Sequence, residues 1–304
     1  MALPPSDIAC LAHKTLKKPP WIRVTLPSGD TWKHVEDILE KHRLHTVCDE
    51  ARCPNKGTCW GAGTATFMIL GDRCTRSCRF CGVSTSPRGQ EIRKDEGRAI
   101  AVAAQELDLR YLVLTSVDRD DLPDRGAGHF ASCVRAVKTG NPGIKVELLI
   151  PDYDAAEIAP LVAAGPAVIA HNVETVPAFQ WVRDPRASFD KSLATLRAAK
   201  ALGIGVTKTS LLLGLGEQKP EVLRVMDTLR EAAVDILVMG QYLRPSSKQI
   251  PVTAYISPEH FEAYAEEGRN RGFAAVVSSP LARTSYHAYE AWKQQTQGRN
   301  YAGT

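Results

Sequence analysis

The sequence predicts an α/β protein built around a partial barrel of six strand–helix units, (β/α)6. Two observations favour this fold class: short apolar runs alternate with segments of helical spacing from residue 65 onward, and polar motifs follow the apolar runs. Such alternation is typical of a parallel sheet with right-handed helical crossovers. At 304 residues, the chain is long enough to bury a sizeable core.

Six apolar runs predict the barrel strands, at residues 66–70, 111–115, 145–150, 167–170, 205–213 and 235–240. Helical spacing between them predicts helices at 96–107, 128–138, 154–163, 189–202 and 220–232. A last helix (258–271) and an apolar run (273–277) are expected to form a C-terminal extension, and a helix at 32–42 lies in an N-terminal one. We therefore divide the chain into an N-terminal extension (1–64), a barrel (65–245) and a C-terminal extension (246–304).

Nearly every polar motif falls directly after a predicted strand. These positions meet at one mouth of a parallel barrel, where the active sites of such barrels lie. Cysteines follow the first strand, and polar or glycine-containing segments follow the second, fourth, fifth and sixth, at 115–118, 172–174, 214–217 and 241–242. We therefore expect the active site at this mouth.

Three cysteines after the first strand, Cys74, Cys78 and Cys81, form the pattern C-x3-C-x2-C. Iron–sulfur clusters usually take four cysteine ligands, so a triple without a fourth cysteine nearby predicts a 4Fe–4S cluster with one iron open to a small molecule. A zinc knuckle is the alternative, although zinc normally takes a fourth Cys or His at short spacing. The pattern favours a catalytic cluster.

A second triple, Cys48, Cys53 and Cys59, forms the pattern C-x4-C-x5-C. Pro, Asn and Gly residues between these cysteines suit a tight wrap around a metal centre. We expect this triple on a loop between the N-terminal extension and the first strand. It too is an incomplete ligand set.

The first triple resembles the signature of the radical S-adenosylmethionine (SAM) enzymes, in which the open iron chelates the amino and carboxylate groups of SAM. This resemblance implies a (β/α)6 partial barrel and cleavage of SAM to a 5′-deoxyadenosyl radical. The second triple is similar to that of the lipoyl synthase family, where it binds an auxiliary 4Fe–4S cluster whose fourth ligand is a serine of a C-terminal Arg-Ser-Ser-Tyr motif. Here Arg-Thr-Ser-Tyr stands at 283–286, so Ser285 is the implied ligand, while Thr284 departs from the family pattern.

The resemblance to lipoyl synthases extends over residues 21–288. Five further segments carry it: Leu-His-Thr-Val-Cys at 44–48, Leu-Thr-Ser-Val-Asp at 114–118, His-Asn-Val-Glu-Thr at 171–175, Leu-Gly-Leu-Gly-Glu at 213–217 and Gly-Gln-Tyr at 240–242. At 208–210 the chain has Lys-Thr-Ser where the family more often has Lys-Ser-Gly, a departure that concerns local backbone shape.

The resemblance also implies the residues that bind SAM. Thr115 and Ser116 are expected at its methionyl end, Asn172 and Glu174 at ribose or amine, and Arg183 at the carboxylate. Ordinary strand-end capping and surface ion pairing are the alternatives for these five residues.

Several further residues are interpreted as structural. His45 and His171 are interpreted as structural histidines whose ring nitrogens have hydrogen-bond partners within the fold. Cys133 lies in an amphipathic segment and is interpreted as a small buried residue. Cys10, on the N-terminal arm, is interpreted as an incidental thiol.

The implied activity is insertion of two sulfur atoms at carbons 6 and 8 of an octanoyl group on a carrier lysine, with SAM and two 4Fe–4S clusters as cofactors and the auxiliary cluster as sulfur source. The implied partners are an octanoylated carrier (the E2 component of a 2-oxoacid dehydrogenase or the glycine cleavage H protein), an electron donor such as ferredoxin or flavodoxin, and a cluster-repair protein. A biotin synthase-like sulfur inserter and a non-catalytic zinc module are the alternatives.

Composition narrows the partners and the compartment. A net charge of +4 with 7% aromatic residues does not give the dense basic stripe typical of nucleic-acid binding. No secretion signal and no apolar segment of membrane-spanning length stands in the sequence, and eight clustered cysteines indicate a reducing compartment. We therefore expect a cytoplasmic protein without nucleic-acid or membrane partners.

Overall fold

The computed structural model describes residues 16–297, and its centre is an eight-stranded sheet. The strands of this sheet are β1 (His45–Thr46), β2 (Thr66–Ile69), β5 (Tyr111–Ser116), β6 (Lys145–Leu149), β7 (Val168–Ala170), β8 (Thr207–Leu213), β9 (Ile236–Gln241) and β10 (Ala275–Ser278). A separate pair of short strands consists of β3 (Arg73–Cys74) and β4 (Ser84–Thr85).

Helices connect most of these strands. In chain order the described α-helices are α1 (Asp30–His42), α2 (Val47–Glu50), α3 (Lys56–Gly61), α4 (Glu96–Glu106), α5 (Ala127–Gly140), α6 (Ala155–Ala163), α7 (Phe189–Ala201), α8 (Lys219–Glu231), α9 (Pro258–Asn270) and α10 (Ala288–Gln297), with a 3-10 helix at Pro177–Val182. No helix within residues 16–297 is both long and apolar enough to cross a membrane.

The sheet follows the order of the chain. Strands β2, β5, β6, β7, β8, β9 and β10 are parallel neighbours in that order, and β1 adds antiparallel to the edge of β2. Every residue of β2 and β9 is buried, as expected for parallel strands covered on both faces. The partial barrel predicted from the alternating pattern is confirmed.

The first barrel strand ends one residue earlier than predicted. Leu70 adopts φ 68° and Gly71 φ 86°, a left-handed pair that turns the chain out of the sheet and towards the first cysteines. The Leu70 N–H donates to the Glu96 carboxylate at 3.1 Å instead of to a strand. The sharp turn thus fixes where the cysteine segment begins.

Two expectations for the extensions need correction. The run at 273–277 was expected outside the barrel, but β10 pairs in parallel with β9, so the sheet continues past residue 245. The second cysteine triple was expected on a loop, but Cys48 lies on α2 and Cys59 on α3. Helix α2 begins there because the Thr46 hydroxyl accepts the Asp49 N–H at 3.2 Å. The three-part division of the chain stays a prediction.

The C-terminal segment passes directly over the end of β9. A side chain at Gly240 would bring its Cβ within 2.0 Å of the Ala282 carbonyl oxygen, so only glycine permits this approach. Residue 285 thereby reaches the mouth of the barrel. Cys10 lies outside the described residues.

Candidate active site

A cavity of about 320 Å³ lies at the carboxyl ends of the barrel strands. It brings together ten of the predicted site residues: Cys53, Cys74, Cys78, Cys81, Thr115, Ser116, Asn172, Glu174, Arg183 and Ser285. Cys48 and Cys59 are absent from the cavity wall and pack in the hydrophobic core instead. The predicted convergence of strand ends therefore holds for most of the site.

The glycine segment after β8 is the exception among the strand-end motifs. Gly214 and Gly216 do not line the cavity, because their N–H groups, with that of Leu215, donate to the Glu217 carboxylate at 2.5 to 3.1 Å. The N–H groups of this segment therefore bind the Glu217 carboxylate.

The first cysteine triple is held on irregular backbone closed by the β3–β4 pair, in which Cys74 is opposite Thr85. The Arg76 N–H donates to the Cys74 sulfur at 3.4 Å, and the Asp184 N–H donates to the Cys78 sulfur at 3.3 Å. Such donors favour the thiolate forms.

Burial opposes ionisation at this triple when no cation is bound. It raises the pKa of Cys74 and of Cys78 to about 12 and the pKa of Cys81 to about 11. Metal ligation requires deprotonated cysteines and releases their protons. The N–H donors and the three convergent sulfurs therefore suit a cationic iron–sulfur centre.

The spacing of the sulfurs separates a cluster from a single zinc ion. Around one tetrahedral zinc, with bonds of about 2.3 Å, sulfur ligands lie about 3.8 Å apart. Neither cysteine triple has its three Sγ atoms all within 4.8 Å of one another. The wider spacing does not fit one ion and is compatible with a larger cluster.

The second triple lies in an apolar environment. Burial raises the pKa of Cys48 to about 11 and of Cys59 to about 12. Trp32 and Trp60 pack in the same region with ring centroids 5.4 Å apart. Only Cys53 reaches the cavity.

The N-terminal extension and the segment after β10 meet beside Cys53. The Asn55 side-chain amide donates to the Leu281 carbonyl at 2.7 Å, and this bond holds the C-terminal segment against the second triple. Ser285 then lines the same cavity as Cys53. Ser285 and one member of the incomplete cysteine set thus line the same cavity.

The predicted SAM residues differ in how their polar atoms are used. The Thr115 hydroxyl donates to the Leu149 carbonyl at 3.0 Å, so its hydrogen is consumed within the sheet. The Ser116 hydroxyl is buried with no hydrogen-bond partner. A buried hydroxyl without a hydrogen-bond partner is unfavourable in free energy. Of the two residues, Ser116 is therefore the better placed to contact a ligand.

Asn172 connects the predicted SAM side to the C-terminal motif. Its amide nitrogen donates to Glu174 at 3.2 Å, and its amide oxygen accepts the Thr284 hydroxyl at 2.9 Å. Glu174 adopts φ 66°, and burial raises its pKa although Arg183 opposes this. The three residues form one chain of hydrogen bonds across the cavity wall.

Two guanidinium groups in the wall lack carboxylate partners. Arg183 donates through Nη1 to Gln180 and Ser192, at 3.0 and 2.9 Å, and Arg283 donates to the Ala282 carbonyl at 2.7 Å. Among the described residues, no carboxylate lies within 4.0 Å of either guanidinium. Both charges are available to an anionic ligand.

Sequence reasoning missed Arg76 and Asp152 among the charged groups near Cys74. Arg76 is only 5% exposed and contacts Asp120 and Asp152 at 2.8 Å each and Asp118 at 3.4 Å. Burial raises the pKa of Asp118 to about 6 against the effect of Arg76, and the Asp118 carboxylate lies 3.8 Å from the Cys74 sulfur.

The sequence contained a signal for one of these residues, Asp152. Asp152 follows β6, the strand whose end was not given a motif, and its Oδ2 atom is buried without a partner in the cavity wall. A strand-end acid after proline could have been assigned to the mouth with the others. Arg283 was recognised only as part of the serine motif.

The histidine interpretation agrees with the structure at His171. Its Nδ1 lies 2.8 Å from the Ile150 carbonyl and its Nε2 lies 2.8 Å from the Ser192 hydroxyl. Burial lowers its pKa to about 4. Both ring nitrogens therefore have partners within the fold.

The barrel and its cysteine loop define a radical SAM protein: the model of the Radical SAM superfamily matches residues 68–229. Solved structures with the same fold include the FeFe-hydrogenase maturase HydG from Carboxydothermus hydrogenoformans, with TM-score 0.59, 16% identity and coverage of 77% of this chain and 57% of that one. Methylornithine synthase (PylB) matches with TM-score 0.55, 13% identity and coverage of 100% and 95%.

More specific matches identify the family. The model of the N-terminal domain of lipoyl synthase matches residues 9–53. Lipoyl synthases from Methanocella arvoryzae and Deinococcus radiodurans are 49% and 50% identical, over 91% and 90% of this chain and 95% and 83% of theirs. That of Thermus thermophilus is 48% identical, over 92% of this chain and 88% of its own. The chain belongs to the lipoyl synthase family.

Proposed function

We propose that the chain inserts sulfur at carbons 6 and 8 of an octanoyl group carried on a lysine of a protein, using SAM and two 4Fe–4S clusters. Membership of the lipoyl synthase family supports the activity, SAM and one cluster. It argues against both the biotin synthase-like alternative and the non-catalytic zinc module. The assignment of residues rests on the cavity.

The observation that carries the assignment is that one cavity is lined by both cysteine-bearing regions. Cys74, Cys78 and Cys81 stand in its wall together with Cys53 and Ser285. Sulfur insertion requires a hydrogen-abstracting centre and a sulfur donor within reach of the same carbon chain. A single enclosed space also excludes water from reactive intermediates.

At the first triple, Cys74, Cys78 and Cys81 would hold the cluster that binds SAM. This cluster supplies the electron for cleavage of the SAM sulfonium, and the protein supplies position and exclusion of water. Ser116 and Asp152 each offer an unpartnered buried oxygen, which suits the amine and hydroxyl groups of SAM. Arg183, free of carboxylates, fits the SAM carboxylate. Thr115, Asn172 and Glu174 would shape this subsite.

At the second triple, Cys48, Cys53, Cys59 and Ser285 would hold the auxiliary cluster, whose chemistry supplies sulfide. A serine oxygen is a harder ligand than thiolate. Ser285 would therefore be the ligand most readily displaced, and it lines the cavity in which the substrate would lie. Burial lowers the pKa of Arg283, although Cys53 opposes this, and the charged guanidinium would balance the negative charge of the thiolates.

The proposed partners follow from the reaction. An octanoylated carrier protein presents the substrate, and an external donor such as ferredoxin or flavodoxin supplies electrons. If the auxiliary cluster is consumed, a cluster-repair protein must restore it. We place the enzyme in the cytoplasm, which is supported by the seven described cysteines all being free and by the reducing conditions that thiols require.

Anaerobic turnover tests the proposal. The reconstituted protein is incubated with SAM, a reductant and an octanoyl-lysine carrier peptide, and the peptide is analysed by mass spectrometry. We expect a gain of two sulfur atoms, with label transferred from protein prepared with isotopic sulfide. Labelled product from dethiobiotin but none from the octanoyl peptide would overturn it.

A further inference from the structure

Three potential metal ligands converge outside the cavity, between helices α4 and α5. Glu96, His129 and Cys133 have their carboxylate, imidazole and thiol atoms all within 4.8 Å of one another. The His129 Nε2 atom lies 2.7 Å from Glu96 Oε2 and 3.5 Å from Cys133 Sγ. The reaction proposed above uses none of these residues.

The fold fixes this group from two elements. His129 and Cys133 are four residues apart on α5 and therefore share one helix face, and Glu96 is the first residue of α4. The side chains of Glu96 and His129 are 7% and 13% exposed, and Cys133 is 1% exposed, which confirms that this cysteine is buried. The group is enclosed, with a small opening at the histidine.

Hydrogen bonds within the protein do not satisfy all three of these side chains. The Glu96 Oε2 atom accepts the Leu70 N–H at 3.1 Å, which orients the carboxylate. A single Nε2 hydrogen on His129 can serve either Glu96 or Cys133 but not both. The three lone-pair donors lie within 4.8 Å of one another, and one shared cation would engage all three.

We propose that Glu96, His129 and Cys133 bind a zinc ion. Thiolate, imidazole and carboxylate together are donors that zinc accepts, whereas magnesium and calcium prefer oxygen ligands alone. Water would be the fourth ligand of a tetrahedral shell. The Leu70 N–H is then an outer-shell donor that orients a ligand.

Zinc at this place joins α4 and α5 to the turn that leads into the first cysteines. Leu70 is the left-handed residue that ends β2, and Cys74 follows four residues later. The ion would thus stabilise the support of the cysteine segment without touching substrate. Loss of the ion is expected to lower thermal stability while both iron–sulfur sites remain filled.

Metal analysis of the holoenzyme tests this site. Protein with both clusters reconstituted is loaded with zinc chloride, desalted and measured by inductively coupled plasma mass spectrometry. We expect about one zinc beside about eight irons per chain. Cys133→Ala and His129→Gln should lose zinc and keep iron, whereas Ser132→Ala, at an exposed neighbouring position on α5, should keep both.

X-ray absorption at the zinc edge identifies the ligands. The expected shell is one sulfur at about 2.3 Å with lighter ligands at about 2.0 Å. A shell of three or four sulfurs, which would place zinc at vacated cluster cysteines, overturns the proposal. So does a wild-type protein that retains no zinc, or equal zinc retention by Cys133→Ala.

Thermal unfolding covers the case in which Cys133→Ala fails to fold. Added zinc should raise the Tm of the wild-type holoenzyme and of Ser132→Ala, but not that of His129→Gln. An equal rise in all three proteins would overturn the assignment, because the partly buried group His45, Glu50 and Asp72 remains intact in each.

Discussion

The two cysteine triples differ in how much of each faces the reaction cavity. All three sulfurs of Cys74, Cys78 and Cys81 line the cavity, whereas of the second triple only Cys53 does. The first stands on irregular backbone with N–H donors at its sulfurs, and the second is carried largely by the short helices α2 and α3. The first triple is therefore open to a bound molecule, whereas the second presents only one cysteine to the cavity.

Their surroundings differ as well. The first triple lies beside a network of ionised groups centred on Arg76 and including Asp118, whereas the second packs with Trp32 and Trp60. Charged neighbours can stabilise changing charge at a centre that exchanges electrons. Apolar surroundings with the Ser285 hydroxyl at the edge suit the proposed auxiliary cluster, which would lose a ligand and be consumed.

The largest effect is expected at the first triple. Cys78→Ala should abolish SAM cleavage and sulfur insertion together and leave about four irons per chain, those of the auxiliary cluster. Iron analysis and chromatography of 5′-deoxyadenosine measure both quantities. SAM cleavage at the wild-type rate would mean that this triple does not hold the SAM-binding cluster.

Cys53→Ala should distinguish the function of the second triple from that of the first. Iron is again expected to fall to about four per chain, but SAM cleavage should persist while the octanoyl peptide gains no sulfur. Product mass and 5′-deoxyadenosine are measured in the same reaction. A variant that still inserts two sulfurs would remove Cys53 from the sulfur-donating centre.

Ser285→Cys should keep both clusters but bind the exchangeable iron too firmly. We expect sulfur insertion to fall by about 100-fold, near the upper range for altered metal surroundings, with SAM cleavage retained. Mössbauer spectra should show the auxiliary cluster with a uniform thiolate ligand set. Full sulfur insertion by this variant would count against displacement of a serine ligand.

The smallest effect on activity is expected at Thr284, which joins the C-terminal motif to Asn172. Thr284→Val removes the hydroxyl that donates to Asn172 and should lower sulfur insertion about 10-fold, as loss of an outer-shell hydrogen bond does. Thr284→Ser keeps the hydroxyl and is the matched control, expected to act as wild type. Equal rates for Val and Ser variants would show that this hydrogen bond does not position Ser285.

Strand positions were predictable because each barrel strand is a short apolar run between polar or glycine residues. The predicted and observed bounds of these runs differ by at most two residues. The helices around Cys48 and Cys59 were not predictable, because segments this short and rich in Cys, Gly and Pro have little helical tendency of their own. Packing against the sheet and the Thr46 cap decide the conformation of α2, and packing against α1 decides that of α3.

The site was predictable as a set of strand ends but not atom by atom. Thr115 and Ser116 are adjacent in sequence, yet one hydroxyl is consumed within the sheet and the other lacks a partner. Asp152 acquires its role from contact with Arg76, and Arg283 acquires its role from the charge of Cys53. Such pairings depend on tertiary distances that no local pattern carries.

The hydrogen bond from Asn55 to Leu281 joins residues 226 positions apart. During translation, the thiols near the amino terminus leave the ribosome long before the segment that will cover them has been synthesised. Assembly of that wall must therefore wait until residue 281 has been synthesised, and nascent chains stalled upstream would expose Cys53 to oxidants.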